Sequence, residues 1–283
     1  METYTHYGKQ ADVFKHLVLC EVLSNEKPEV YVDTNSACAV YQLAHTPEQD
    51  YGVYHFLRNA STNNDLKSSC YYKHASDALS KGYYYGSPAL AMKVVGENAV
   101  KYHFFDLETK SLENVGAFAK HEHLDDRIVL HNCDSTKGVM ELLATLPKNS
   151  FIHIDPYEIE TKGVDGHTYL DIFIHATRLG MKCLLWYGFM TMDDKERIDQ
   201  YIVSHVQESG IEHVIGSQLI MNSIQKNTIA CNPGILGSGL LASNLSEQSN
   251  RQLLHYSQLL VDVYSNSQYK GTDGSISHKF AVL

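Results

Sequence analysis

The 283-residue chain has little that would place it in a membrane or outside the cell. No apolar run approaches the roughly 18 residues that a membrane-spanning helix needs. Residues 1–6, METYTH, lack the basic patch and apolar stretch of a secretion signal. We therefore expect a cytoplasmic protein with no membrane partner.

The sequence also lacks the spacing patterns of metal sites and disulfide frameworks. Its six cysteines include no C-x-x-C pair, and its 16 histidines form no H-E-x-x-H or comparable cluster. Isolated thiols of this kind are typical of a reducing compartment. We therefore expect no metal.

Positive charge is scarce as well. The 23 lysines and arginines face 33 aspartates and glutamates, which gives a net charge of −10. Such a surface does not attract a polyanion over long distances. If the partner is a nucleic acid, it must use a local basic patch, and the candidates for such a rim are Lys9, Lys15, Lys67, Lys73 and Lys81.

What the sequence does contain is a regular alternation of apolar runs and amphipathic segments. We predict strands at 29–34, 102–106, 127–134, 151–155, 181–188, 213–220 and 239–243, the last of these ending the sheet. Helices are predicted at 11–24, from about 40, and at 89–95, 112–120, 137–146, 168–179, 193–209 and 249–264. This alternation predicts an α/β fold with a mostly parallel sheet covered on both faces. Residues 46–82 are more polar and predict a small, partly helical insertion between 1–45 and 83–283.

Four of the predicted strands end in an acid: Asp33, Asp106, Asp134 and Asp155. The carboxyl ends of parallel strands border the ligand crevice, so we expect these carboxylates to converge there. Turn chemistry alone also places acids at strand ends. Asp106 suits ribose hydroxyls, and Asp134 suits an adenine edge.

The turn after the first strand, residues 33–39, contains no glycine. Glycines are needed where the backbone closely approaches a pyrophosphate. The turn therefore disfavours a nicotinamide oxidoreductase, whereas S-adenosylmethionine, which brings no phosphate to this turn, remains compatible.

Residues 151–158, FIHIDPYE, present a carboxylate and an aromatic ring at a strand end. Pro156 fixes its own φ and stops further strand pairing, which exposes Asp155 and Tyr157. A carboxylate beside an aromatic ring suits a flat, hydrogen-bonding substrate such as a nucleobase.

Six segments occur in an order and spacing that resemble one known family. They are Tyr4 with His6, residues 11–16 (ADVFKH), 31–34 (YVDT) with 41–43 (YQL), 85–88 (YGSP), 154–158 (IDPYE) and 185–187 (LWY). They resemble the large-subunit ribosomal RNA methyltransferase J family, which methylates an adenine N6 in 23S rRNA with S-adenosylmethionine. The same family has also been named for catabolism of external DNA. The resemblance spans nearly the whole chain and implies a class I, Rossmann-like methyltransferase sheet with an antiparallel last strand.

The resemblance also implies the roles of individual residues. The catalytic set comprises Asp155, Pro156, Tyr157, Lys15, Tyr4 and His6. The implied contacts to S-adenosylmethionine are His16, Asp33, Asn35, Ser87, Asp106 and Asp134. The implied partner is 23S rRNA, and a monomer is favoured.

Two places depart from the family pattern. Its motif Asp-Pro-Pro-Tyr is shortened to Asp155-Pro156-Tyr157, and Ser36 and Cys38 stand where its first loop has glycines. A β-carbon at either loop position would crowd the methionine part of the cofactor. Two alternatives therefore stay open, a non-catalytic nucleic-acid or nucleoside-binding protein on a decayed methyltransferase frame and a DNA adenine-N6 methyltransferase.

Overall fold

The structure, a computed structural model, describes residues 6–221, 235–265, 268–269, 272–273 and 276–283. Its strands are β1 (Val30–Asp33), β2 (Val40–Gln42), β3 (Tyr83–Tyr85), β4 (Lys101–Phe105), β5 (Ile128–His131), β6 (Ser150–Ile154), β7 (Lys182–Phe189), β8 (Ile215–Met221), β9 (Gly237–Ser243), β10 (Gln268–Tyr269), β11 (Thr272–Asp273) and β12 (Ile276–Val282). Its helices are α1 (Gln10–Glu26), α2 (Pro47–Tyr51), α3 (Val53–Ala60), α4 (Asn64–Ser68), α5 (Cys70–Ser80), α6 (Ser87–Val95), α7 (Thr109–His121), α8 (Ser135–Leu143), α9 (Tyr169–Arg178), α10 (Met192–Ser209) and α11 (Glu247–Ser265), with a 3₁₀ turn at Gly96–Asn98.

The central sheet has eight strands in the order β12-β8-β9-β7-β6-β1-β4-β5. Every neighbouring pair from β5 to β7 is parallel, whereas β9 runs antiparallel to β7 and β8. The predicted Rossmann-like, mostly parallel sheet with an antiparallel strand is therefore confirmed. The prediction that 239–243 ends the sheet is wrong, because β12 adds an antiparallel edge to β8. Polar residues interrupt β12, and they concealed it in the sequence.

The order of the strands determines where a ligand can bind. The chain runs from β1 outward to β4 and β5, then crosses back to β6 on the other side of β1. Ligands of open α/β sheets bind beyond the carboxyl ends of the strands at such a reversal. The carboxyl ends of β1 and β6 therefore define the expected crevice.

Buried side chains form one cluster on each face of the sheet, because neighbouring strand residues point to opposite faces. Tyr31 joins the cluster covered by α1, α6, α7 and α11, while Val32 joins the cluster covered by α8, α9 and α10. Helix α1 is buried almost throughout, since it packs against the sheet, α5, α6 and α11. Polar residues of α1, among them Lys15 and His16, are therefore buried together with its apolar ones.

The connection from β1 to α6 is interrupted by a helical segment. Strands β2 and β3 pair antiparallel, with Tyr41 opposite Tyr84, and the chain between them forms α2, α3, α4 and α5. The predicted helix from about residue 40 is wrong, because residues 40–42 pair with a strand some 40 residues later. Local propensity does not encode such a contact. The division into 1–45 with 83–283 and an insertion at 46–82 stays a prediction.

None of the helices within the described ranges combines the length and apolar character needed to cross a lipid bilayer.

Candidate active site

A crevice of about 270 Å³ opens beyond the carboxyl ends of β1 and β6. It lies where the strand order predicts a ligand site. Eight of the predicted site residues line it: His6, Lys15, His16, Asn35, Ser87, Asp155, Pro156 and Tyr157. Another cavity, of about 290 Å³, lies between α10 and β12 and contains none of them.

An ion pair between Lys15 and Asp155 forms part of the crevice wall. Nζ of Lys15 lies 2.6 Å from Oδ2 of Asp155 and 3.4 Å from Oδ1 of Asp12. Burial lowers the pKa of a lysine, but the two carboxylates outweigh it and hold the pKa of Lys15 above its usual range. Oδ1 of Asp155 accepts no hydrogen bond from the described part of the chain. The lysine therefore orients the carboxylate and leaves one oxygen available.

Neutral polar groups surround this pair. Nδ1 of His16 lies 2.7 Å from the Tyr84 hydroxyl, and burial holds the pKa of His16 well below its usual range, so the ring is neutral at pH 7. Asn35 donates to the Tyr169 hydroxyl at 3.0 Å. Ser87 is buried at the start of α6. These groups can bind a polar ligand without adding net charge.

Asp33 does not reach the crevice. Its fully buried carboxylate accepts from the Tyr31 hydroxyl at 3.1 Å and pairs with Nδ1 of His153 at 3.2 Å. The Asp33 pKa is lowered because His153 and the hydrogen bonds outweigh the effect of burial. The carboxylate is thus a buried structural group beneath the crevice.

Asp106 and Asp134 are also occupied by local contacts. Asp106 accepts hydrogen bonds from the backbone N–H groups of Ala37 at 2.8 Å and Glu108 at 2.7 Å. Asp134 is the N-cap of α8 and accepts from the Lys137 N–H at 3.2 Å. The expectation that four carboxylates converge on the crevice is therefore wrong, because three of them satisfy buried or terminal backbone and side-chain donors. Their predicted cofactor contacts stay predictions.

The turn after β1 has its strained residue at Ala37, with a φ of 49°. Crowding was expected at Ser36 and Cys38, but Cys38 is not part of the crevice wall, and its Sγ lies 3.5 Å from Oγ of Ser111. Space for the turn comes instead from Gly86, where a Cβ would lie 2.3 Å from the carbonyl oxygen of Cys38. A glycine would adopt the Ala37 conformation without the steric penalty.

The mouth of the crevice is marked by an exposed ring. Tyr157 is 82% exposed, although it lies only three residues after the end of the buried strand β6. His6 is also exposed and lies 3.1 Å from Glu48. Tyr4, the other predicted residue of the N-terminal pair, lies outside the described residues. The unpacked Tyr157 ring is available to a flat ligand.

The sequence did not predict the aromatic wall of the crevice. Tyr7 and Tyr41 stack with their ring centroids 4.4 Å apart, and Tyr84 lies beside them. Trp186 is only 9% exposed but lines the crevice, with Nζ of Lys15 5.3 Å from its ring centroid. The tyrosines at 83–85 were the available signal for this wall.

The proposed basic rim is only partly assembled. Lys9 and Lys15 line the crevice, while Lys67 and Lys73 lie on α4 and α5 and Lys81 follows α5. Because Lys15 is neutralised by carboxylates, Lys9 is the main cation that the rim brings to the crevice. Within the described ranges, no three or more His, Cys, Asp or Glu side chains are grouped to hold a metal ion.

Comparison with known proteins gives a relative over most of the chain. No family model matches. The chain is 25% identical over 262 residues to ribosomal RNA large subunit methyltransferase J of Haemophilus influenzae, covering 84% of both proteins. The crystal structure of protein LPL1258 from Legionella pneumophila, described by the family model DUF519, has a TM-score of 0.71 at 20% identity over 98% of each chain and shares the fold. An O-methyltransferase from Bacillus cereus in complex with SAH has a TM-score of 0.44 at 7% identity over 81% of this chain and 80% of its own. The resemblance to the large-subunit ribosomal RNA methyltransferase J family, predicted from the ordered motifs, is therefore confirmed by the Haemophilus influenzae relative.

Proposed function

We propose that this chain is an S-adenosylmethionine-dependent methyltransferase that methylates the exocyclic N6 of an adenine in 23S rRNA. The observation that carries the proposal is the Asp155 carboxylate, which Lys15 orients at the carboxyl end of β6 beside the exposed Tyr157 ring. The methyltransferase relative supports the reaction class.

The residues of the crevice fit the polar end of S-adenosylmethionine. Oγ of Ser36 and Nε1 of Trp186 are buried without a hydrogen-bond partner in the described part of the chain, and both residues line the crevice. Unpaired buried polar atoms are costly and favour a ligand that satisfies them. Asn35 and Ser87 add further polar groups.

The ribose end would bind next to this wall. The N–H group of Ala37, which lines the crevice, donates a hydrogen bond to the Asp106 carboxylate, so this carboxylate lies next to the crevice. Asp106 is of the residue type that binds ribose hydroxyls in such sheets. The volume of about 270 Å³ is close to the lower limit for a pocket holding one drug-sized ligand. The cofactor and the base together must therefore extend beyond this crevice, toward Asp106 and Asp134.

The first role of the protein's residues is to bind the N6 amine of the substrate adenine. The N6 lone pair of adenine is delocalised into the ring, so the amine is a poor nucleophile. Oδ1 of Asp155 and the Pro156 carbonyl can accept its two hydrogens and localise the lone pair. When bound, S-adenosylmethionine supplies an electrophilic methyl group. Once N6 has formed its new bond to carbon, Asp155 is placed to accept the proton that N6 loses.

Positioning accounts for much of the expected acceleration. Lys15 fixes the carboxylate through Oδ2, and Tyr157 can stack on a base that has left its helix. Base stacking on an aromatic side chain contributes about 1–3 kcal/mol. Because the His16 ring is neutral, it adds no positive charge beside the sulfonium.

Transfer of tritium from labelled S-adenosylmethionine to unmodified 23S rRNA tests the proposal. Asp155→Ala is expected to abolish transfer with the fold intact, whereas Asp77→Ala, on the exposed face of α5, leaves it unchanged. A parallel assay with DNA separates the RNA and DNA substrates. No transfer to any RNA or DNA would refute the proposal.

The alternative is a non-catalytic nucleoside-binding protein, and the engaged Asp106 carboxylate and the non-glycine residue at Ala37 favour it. Calorimetry with S-adenosylmethionine distinguishes the two. Micromolar or tighter binding supports the enzyme, and the absence of binding supports the non-catalytic alternative.

A further inference from the structure

A small pocket adjoins the candidate active site at the carboxyl end of β7. Its volume is about 110 Å³, and Lys9, Tyr157 and Trp186 line both this pocket and the crevice. The rest of its wall comes from the segments that follow β6 and β7 and from the start of α10, and it includes Ile159, Glu160, Met190, Asp194, Arg197 and Ile198. This cavity, called here the β7 pocket, and the crevice are therefore neighbouring compartments of one cleft.

The β7 pocket lies on the opposite side of Asp155 from the carboxylates expected to meet the cofactor. In the sheet order β7-β6-β1-β4-β5, Asp155 follows β6, whereas Asp106 and Asp134 follow β4 and β5. The pocket, at the end of β7, is on the other side of β6. A cofactor that extends toward β4 and β5 therefore leaves the β7 pocket to the rest of the substrate.

The size and the apolar wall of the pocket suit one ring of a nucleobase. A cavity of about 150 Å³ holds benzene, so a pocket of about 110 Å³ that opens to the crevice admits a ring but not a whole cofactor. Ile159 and Ile198 are 2% and 6% exposed, whereas Met190 is 51% exposed. A base in the pocket would cover the exposed apolar surface of Met190, which is favourable.

Arg197 adds a planar surface with a restricted orientation. Its guanidinium pairs with the Glu160 carboxylate and, at 2.7 Å, with Oδ1 of Asp194. The side chain of Arg197 nevertheless remains 54% exposed. Nucleobases stack on guanidinium planes as they do on aromatic rings. Arg197 can therefore hold a base by stacking while its charge is compensated by the two carboxylates.

The charge of the pocket wall excludes a phosphate from its interior. Glu158, Glu160 and Asp194 line the pocket beside Arg197. Three carboxylates and one guanidinium give this part of the wall a net negative charge, which repels an anion. A neutral base is not repelled in this way, so the pocket suits the base of a nucleotide and not its phosphate.

A positive charge lies instead at the junction of the two compartments. Lys9 lines both of them, and its ammonium forms no ion pair within the described part of the chain. The neighbouring Asp12 carboxylate accepts from the backbone N–H of Lys9 and pairs with the ammonium of Lys15. An uncompensated lysine between two compartments that each suit a base is in the place of the phosphate that joins two nucleosides.

We propose that the β7 pocket binds the base of the nucleotide next to the target adenosine, stacked on Arg197, while Lys9 binds the phosphate that joins the two nucleotides. This inference rests on the proposed function, because Asp155 must hold the target base in the crevice for its neighbour to reach the pocket. The unit that the protein recognises is then a single-stranded dinucleotide.

Trinucleotides with a central adenosine test the role of the pocket. Methyl transfer is measured with the full trinucleotide and with analogues that lack the base on either the 5′ or the 3′ side. Removal of one of these bases, and not of the other, is expected to lower kcat/KM about tenfold, as for the loss of one stacked base. Arg197→Ala should lower kcat/KM for the full trinucleotide by a similar factor and leave that for the corresponding abasic analogue unchanged.

Two further variants separate stacking from other roles of Arg197. Arg197→Lys keeps the positive charge but loses the plane, so it should behave like Arg197→Ala. Arg251→Ala, on α11, is the matched control, because it removes an exposed arginine that also pairs with a carboxylate, that of Glu247. It should leave transfer to all three trinucleotides unchanged.

The contact between Lys9 and the phosphate has its own test. Lys9→Gln should weaken binding of the full and the abasic trinucleotides alike and reduce the slope of log affinity against log salt concentration by about 0.7. Binding of free adenosine, which has no phosphate, should not change. Lys148→Gln is the control, because Lys148 is exposed and precedes β6, at the opposite edge of the sheet.

Binding can be followed without methyl transfer. Trp186 is the only tryptophan of the chain and lines both compartments, so its fluorescence reports nucleotide binding. If the wild-type protein methylates no nucleic acid, the proposed function fails, and the fluorescence titrations alone decide the role of the pocket. The proposal is overturned if the full and the abasic trinucleotides bind equally, or if Arg197→Lys distinguishes them as the wild type does. Weaker binding of S-adenosylmethionine to Arg197→Ala in calorimetry would assign the pocket to the cofactor and overturn it as well.

Discussion

Replacing Lys15 by methionine should strongly destabilise the protein. The substitution keeps the apolar stem and removes the ammonium, which has carboxylate oxygens at 2.6 Å and 3.4 Å. The side chains of Lys15 and Asp155 are 9% and 13% exposed, so little water reaches the charges left behind. Breaking a buried pair on one side costs about 3–5 kcal/mol, and we expect a loss in this range.

The free energy of unfolding, measured by urea denaturation at pH 7, tests this value. Lys81→Met breaks an ion pair whose side chains are 53% and 44% exposed, and it should leave stability unchanged within error. In Lys15→Met with Asp155→Asn, the remaining carboxylate loses its charge, so the double variant should regain about 1–3 kcal/mol of the summed single losses. Equal costs at positions 15 and 81, or additive losses in the double variant, would refute the buried-pair reasoning.

The loss in Lys15→Met should also depend on pH. Burial holds the pKa of Asp155 above its usual range, and removal of Lys15 raises it further. The uncompensated charge is present above that pKa and disappears as the pH falls through it. The stability gap between variant and wild type should therefore narrow in acid, which unfolding curves at several pH values will measure.

Three further substitutions test other parts of the structure. Gly163→Ala would place a Cβ 1.6 Å from Oγ1 of Thr136, and calorimetric melting should show a loss of about 1–3 kcal/mol. Glu26 has a pKa below its usual range, because its hydrogen bonds and Lys182 outweigh the effect of burial. The ionised Glu26 therefore stabilises the fold above its unfolded-state pKa, and this stabilisation is lost as the pH falls through its folded-state pKa. Glu26→Gln should accordingly flatten the acid side of the plot of unfolding free energy against pH. Ala37→Gly relieves a φ of 49° and should raise stability by up to about 1 kcal/mol, with tighter S-adenosylmethionine binding by calorimetry. An unchanged or lower melting temperature for Ala37→Gly would show that the turn is not strained.

The sheet was predictable wherever a strand is buried on both faces. Residues 151–154 (FIHI) form an apolar run interrupted only by His153, and such a run indicates a central parallel strand. The pairing of residues 40–42 with 83–85 was not predictable, since both strands are three residues long and their partners are far apart in sequence. Strand β12 was missed because it lies at an edge, where polar side chains are tolerated.

The site shows the same limit. Lys15 and Asp155 are 140 residues apart, and only the family resemblance indicated that they belong together. His153 lay within an apolar run and was read as part of a strand, although it pairs with Asp33 across 120 residues. Asp106 and Asp134 carried the right residue type for ligand contacts, but their backbone neighbours use the same carboxylates. The residue type determines which contacts a side chain can make, and its neighbours in the folded structure determine which of these contacts it makes.

The short ladder between β2 and β3 has an evolutionary consequence. Paired strands lie about 4.8 Å apart, so the entrance and exit of the intervening helices nearly coincide whatever their number. The helical segment between β2 and β3 can therefore be lengthened, shortened or replaced during evolution without changing the path from β1 to α6 or the chemistry at β6. The constraint on such exchange is a hydrophobic one, since any replacement must still cover α1 in the way that Phe56 and Tyr71 do.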